Sequence, residues 1–194
     1  MMSDLDLWLL AVGLAMDCFT VSIASGVILK RWETKTVCTM AFFFGLFQAL
    51  MPFISWSLFV NVSDLVQQID HWIAFGLLLF LGINMIHEAF QEEEERSFNP
   101  RKLKVILTLA VATSIDALAV GITFSCTGYE HLAQMAYPLG AIGIVSAVFT
   151  LIGSRLGITF GRSIERKLRP ELIGGTILII IGVKILIQHI ANNI

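Results

Sequence analysis

Charge is what this sequence has least of. Only 14% of its 194 residues are Asp, Glu, Lys or Arg, against about 25% in a soluble domain. The net charge of −2 leaves no basic excess to attract nucleic acid. Cysteine is scarce too: Cys18, Cys38 and Cys126 stand far apart in no CxxC or Cys/His pattern. That excludes a disulfide framework and a zinc ribbon, and leaves three small apolar side chains. No GxxxxGK[ST] loop is present, so any pumping energy comes from a gradient or a partner. Polar connections never exceed about 16 residues, too short for a soluble domain.

Apolar residues, by contrast, make up 56% of the chain, and the mean hydropathy is +0.80. A helix crosses the hydrocarbon core with about 20 apolar residues. Six stretches meet that length: 5–29, 37–60, 71–90, 103–126, 133–155 and 171–191. The first has no basic residue ahead of it and is long for a signal peptide, so it reads as a retained helix. The expected fold is all-α, one polytopic domain over 1–194 with six transmembrane helices.

Basic residues set the expected orientation. Lys30, Arg31 and Lys35 follow the first segment. Arg96, Arg101, Lys102 and Lys104 follow the third, and Arg155, Arg162, Arg166, Lys167 and Arg169 follow the fifth. Twelve of the 13 basic residues thus fall on one side, which predicts a cytoplasmic face there and both termini outside. The thirteenth, Lys184, lies within the sixth segment. Trp8, Trp32, Trp56 and Trp72 mark segment ends, as an interfacial belt requires. The acidic run Glu92–Glu95 reads as a solvated loop.

The chain repeats itself. AVGLAMDCFTVSIASG at 11–26 aligns with AVATSIDALAVGITFS at 110–125, an offset of 99 that superposes Asp17 on Asp116. GINMIHEAF at 82–90 aligns with GVKILIQHI at 182–190. Repeat one is expected at about 5–90, a cytoplasmic loop at about 91–102, and repeat two at about 103–191. Three helices per repeat force the second copy to enter from the opposite side. Inverted repeats of this kind are the architecture of secondary transporters, whose sites lie near the midplane.

Asp17 and Asp116 are expected at that midplane, where an Asp costs about 2.5–3.5 kcal/mol to insert. Gly13, Thr20 and Ala24 share the face of Asp17, and Ala112, Thr113, Ala119 and Thr123 that of Asp116. Gln48 lies mid-segment, and Pro52 one turn on frees its carbonyl. Asn84 and Lys184 occupy repeat-matched positions in the third and sixth segments. Lys184 either faces the carboxylates, holding the empty site closed, or snorkels to the outer surface. Carboxylate, amide and hydroxyl oxygens suit magnesium, calcium or manganese. The candidate metal set is Asp17, Asp116, Gln48 and Asn84, with Lys184, Thr20 and Thr113 in gating or coupling.

The stretches GLAMDCFTVSIASG, FGLFQALMPFISW, HWIAFGLLLFLGINMI, ATSIDALAVG and ELIGGTILIIIGVKIL together resemble the MntP manganese efflux pump family of the LysE-type superfamily. The resemblance spans nearly the whole chain. It implies a multi-pass protein of the bacterial inner membrane that exports manganese(II), with no cofactor and no enzymatic activity, and it carries the metal role onto Asp17 and Asp116. Some members of that family have Glu where this chain has Gln48, and a basic residue where it has Asn84. Exchange against protons is the expected coupling. The rival reading is export of another divalent cation or small solute on the same scaffold. An intramembrane aspartyl protease would need GxGD and YD motifs, and the chain has neither.

Overall fold

The computed structural model describes residues 3–60, 72, 75–80, 83, 86–87, 99–160, 176–177, 179–184 and 186–187. Among them every regular element is helical: α1 (Asp4–Leu29), α2 (Thr34–Phe59), α3 (Leu103–Ala112), α4 (Asp116–Cys126) and α5 (Leu132–Phe160). The described parts of 72–87 and 176–187 are helical as well. Three helices (α1, α2 and α5) are long and apolar enough to cross a membrane, and α3 with α4 make a fourth candidate span bent by 43°. At 1.5 Å per residue, the 26 residues of α1 run about 39 Å, enough to cross about 30 Å of hydrocarbon.

Burial sorts the helices into a centre and a lipid-facing rim. Most of α1 is buried, with Leu10, Leu14, Ala15 and Cys18 fully enclosed. A helix apolar all round belongs inside a packed bundle. In α2, Phe42, Leu46, Leu50, Ile54 and Leu58 are exposed at every fourth position. In α5, Ile144, Val148 and Ile152 make a similar stripe. Exposed apolar stripes this long are at home only in lipid.

Glycines let the inner helices approach one another. α1 and α5 run parallel: Trp8 Nε1 donates to the Tyr137 hydroxyl at 3.2 Å near one end, and Gly26 meets Gly157 near the other. A Cβ on Gly153 would lie 2.7 Å from the carbonyl of Phe19. α2 crosses α5 at Gly45 and Gly143, each backed by the other helix's Ala147 or Ala49. Gly121 of α4 packs on Pro52 and Ser55 of α2. Such small-residue crossings replace the hydrophobic driving force that helices lack in lipid.

The two ends of the bundle differ in chemistry. At one end, Arg101 Nη2 meets Glu33 Oε1 at 2.9 Å, Arg31 reaches the same carboxylate at 3.3 Å, and the Arg155 guanidinium lies 5.6 Å over the Trp32 ring. At the other end lie the Trp8–Tyr137 bond, the bond from Trp56 Nε1 to the Tyr129 carbonyl, and an ion pair between Lys184 and Asp6. Of the basic residues expected on one side, Arg31, Arg101 and Arg155 therefore do share one end.

Two expectations change. The fifth segment, expected to end at 155, stays helical to Phe160, so Arg155 is a helical residue. The fourth, expected as one helix over 103–126, breaks between Ala112 and Asp116. Two hydroxyls account for the break. Thr113 Oγ1 bonds the carbonyls of Leu109 and Ala110 at 2.9 and 3.3 Å. Ser114 Oγ bonds those of Ala110 and Val111 at 2.7 and 3.1 Å. Hydroxyls that capture carbonyls a turn back compete with the helical ladder and bend it. At the matching positions of α1, Leu14 and Ala15 have no such group, and α1 is continuous.

Candidate metal site

Asp116 owes its position to the break. It is the first residue of α4, where the helix dipole favours a negative charge by about 0.3–1 kcal/mol. The residue is half-buried, yet both carboxylate oxygens are buried. Asp17 stands mid-way along unbroken α1 and is half-buried. Cys18, directly after Asp17, bonds Thr113, three residues before Asp116, so this contact sets the stretches that carry the two acids against each other.

Two contacts tie the helices together there. Cys18 Sγ donates to Thr113 Oγ1 at 3.8 Å, joining α1 to the break. Gln48 Nε2 donates to the Leu14 carbonyl at 2.8 Å, one turn before Asp17, which joins α2 to α1. The Gln48 side chain is fully enclosed, and its Oε1 has no hydrogen-bond partner among the described residues. An unsatisfied buried amide oxygen costs about 1–3 kcal/mol.

The remaining predicted residues fall in different places. Thr20 is buried and turns its hydroxyl onto the Met16 carbonyl at 3.1 Å. Thr113 is buried at the break and stitches it. Asn84 lies outside the described residues. Lys184 pairs with Asp6: its Nζ lies 2.7 Å from both Oδ1 and Oδ2. Asp6 precedes Asp17 by eleven residues of one helix, about 16 Å along its axis. Lys184 has therefore taken the outward alternative, with Asp6 as its partner. Sequence reasoning passed over Asp6. Its signal was an acidic residue in the first turn of a helix capped by Ser3, whose hydroxyl also donates to Asp6 Oδ2 at 2.6 Å.

Among the described residues no group of three or more His, Cys, Asp and Glu side chains is arranged to hold a metal. Around the two carboxylates the described residues offer amide, hydroxyl and main-chain oxygens. That set suits a hard divalent cation and disfavours copper or zinc.

Long apolar helices with exposed apolar stripes define an integral membrane protein, in which a helix break places Asp116 with its carboxylate oxygens buried. Residues 31–186 match the family described as "Putative manganese efflux pump". A relative of that name from Bacteroides fragilis is 55% identical over 193 residues, covering 99% of this chain and all of its own. One from Nitratidesulfovibrio vulgaris is 44% identical, covering 97% of this chain and 92% of its own. Another from Mannheimia succiniciproducens is 40% identical, covering 97% and 98%. No solved structure matches the chain. The chain belongs to the MntP manganese efflux pump family.

Proposed function

We propose that this protein exports manganese(II) from the bacterial cytoplasm, binding the ion between Asp17 and Asp116 and returning protons in exchange. The observation that carries this reading is the Cys18–Thr113 contact, which sets the stretches carrying Asp17 and Asp116 against each other, together with the unpartnered amide oxygen of Gln48. The relatives' name supplies the metal and the direction. Two carboxylates neutralise a doubly charged ion, and the same oxygens take protons when the ion leaves. One set of atoms thus binds either cargo, and exclusive occupancy is what couples the two flows.

The proposed architecture is six membrane helices in two inverted repeats in the inner membrane, with both termini periplasmic. The reciprocal Gly45–Gly143 crossing supports it, as does the pairing of α1 with α5 and of α4 with α2, because exchange of the two halves maps one pair onto the other. The end that carries Arg31, Arg101 and Arg155 faces the cytoplasm by the positive-inside rule. Rocking of one half against the other would expose the site alternately.

The test is the metal content of intact cells with and without the protein, across several divalent metals. Cells lacking it accumulate manganese and grow poorly in excess manganese. Unchanged manganese content under manganese stress overturns the reading, and accumulation of a different divalent metal reassigns the cargo.

A further inference from the structure

We propose that the unwound turn between α3 and α4 is itself part of the ion site. The main-chain carbonyls of Thr113 and Ser114 act there, with Gln48 Oε1, as neutral oxygen ligands for the cation that Asp17 and Asp116 bind. The inference rests on the carboxylate site argued above and extends its ligand set.

The backbone hydrogen bonds of the break lead to it. The Leu109 carbonyl accepts from Thr113 N, and that of Val111 from Ser114 N. The Ile115 carbonyl accepts from Leu118 N. Among the described residues no hydrogen bond ends on the carbonyls of Thr113 or Ser114. Both residues are nonetheless buried, Ser114 completely. Inside a membrane, unsatisfied backbone survives only where it is buried in protein or lines a polar cavity. The hydroxyls of both residues point backwards to carbonyls of α3, so the side chains hold the turn open and leave its own carbonyls unbonded.

A second, independent feature points to a ligand. Gln48, fully enclosed on another helix, has an unpartnered Oε1. It belongs to the same cluster, because Gln48 bonds the Leu14 carbonyl one turn before Cys18, and Cys18 bonds Thr113. Its amide N–H is committed to the carbonyl of Leu14, the residue aligned with Thr113 at the offset of 99. The first half thus has a partner for this carbonyl, and the second half has none among the described residues.

Chemistry completes the argument. Two carboxylates neutralise manganese(II) but do not fill a coordination sphere of about six oxygens, and among the described residues no three His, Cys, Asp or Glu side chains are arranged to hold a metal. Carbonyls of a broken helix are hard and neutral, so they add ligands without adding charge.

The test uses the full chain in detergent with manganese(II) bound, labelled with [1-13C]threonine or [1-13C]serine and read by electron–nuclear double resonance. The expected result is a carbonyl 13C coupling from each label. The threonine coupling vanishes in Thr113→Ser and the serine coupling in Ser114→Thr, variants that keep the hydroxyls. The double variant Thr113→Ala/Ser114→Ala removes the groups that hold the turn, and manganese affinity falls by about tenfold or more. Bound manganese with no carbonyl coupling from either label overturns the inference. Asp17→Asn and Asp116→Asn separate the two readings. If they abolish binding while the labels stay silent, only the carbonyl assignment falls. If they bind as the unmodified protein does, the carboxylate site falls with it.

Discussion

The thiol of Cys18 lies 3.8 Å from the hydroxyl of Thr113, and through that contact the middle of an unbroken helix meets the gap in a broken one. Each partner adjoins a carboxylate of the proposed site. Cys18 follows Asp17 directly, and Thr113 begins the turn that ends at Asp116. The contact brings the helix that carries Asp17 against the turn that leads into Asp116. The chain is regular on the α1 side of it and unwound on the other.

The carboxylates are the first point to test. Replacing Asp17 or Asp116 with Asn keeps the size and removes one charge from the site of a doubly charged ion. At about 4 Å and an effective dielectric near 20, one such interaction is worth roughly 4 kcal/mol. Half of that lowers affinity more than about tenfold. Each variant inserts normally, binds manganese weakly in titrations and fails to restore manganese resistance. An Asp17→Asn protein that transports at the unmodified rate would refute the site.

Glycine crossings give a test of the packing with a built-in control. A Cβ on Gly45 would sit 2.6 Å from the Gly143 carbonyl and 3.1 Å from Ala147 Cβ, so the helices must part. Gly45→Ala costs about 1–3 kcal/mol by overpacking. Gly140 lies on the same pair of helices, but a Cβ there would meet nothing within 4 Å. Gly140→Ala is neutral, or gains up to about 1 kcal/mol from helix propensity. Thermal unfolding in detergent reads both, and equal effects would mean that α2 and α5 do not cross here.

Lys184 separates a structural ion pair from a coupling residue. Asp6 is the more enclosed partner, with its side chain 10% exposed against 41% for Lys184. Lys184→Met therefore leaves a mostly buried carboxylate alone, at about 1–2 kcal/mol, between the values for exposed and buried pairs. Asp6→Asn/Lys184→Met recovers much of that loss in a double-mutant cycle. The pH profile of manganese transport stays put in both. A profile moved by Lys184→Met alone would return Lys184 to the carboxylates.

At the opposite end, the Arg101 guanidinium hydrogen-bonded to Glu33 holds its carboxyl below the usual glutamate range, with Arg31 and Thr36 helping. A depressed folded-state value means the pair's contribution is complete above the ordinary glutamate pKa. It is lost as pH falls through the lowered one. Glu33→Gln should flatten the acid limb of a stability–pH curve and leave the neutral region alone. An acid limb that is the same in both proteins would show that the tie between these loops carries no stability.

Much of this was legible because lipid simplifies the code. Segment length and apolarity located α1, α2 and α5 to within a few residues, and Arg31, Arg101 and Arg155 do gather at one end of the bundle. The repeat pointed to Asp17 and Asp116, since an Asp amid apolar residues has few innocent explanations. The break was harder. Thr113 and Ser114 are apolar enough for a membrane span, and only the pair of hydroxyls ahead of an Asp hinted at a stop and restart. Lys184 stands at a repeat-matched position, which drew it toward the carboxylates. Its partner was settled by the register of Asp6 along α1, which composition does not encode.

Proton exchange is the remaining prediction, and it follows from what the site has to hold. Lys184 is committed to Asp6, so it is not the charge that takes the place of departing manganese beside Asp17 and Asp116. Two carboxylates that return ionised through a low-dielectric centre, with the doubly charged ion gone, carry a large desolvation cost. Protons are the available replacement, and they are taken up where the site opens outward and released where it opens to the cytoplasm. An inward proton gradient then drives manganese outward. In vesicles reconstituted with the full chain, an imposed pH gradient should accelerate manganese movement toward the acidic compartment, and reversing the gradient should reverse the net flow. Asp116→Asn should weaken that dependence along with transport itself. Manganese movement that ignores the gradient in both orientations would leave facilitated exit, with the carboxylates serving only to bind the ion.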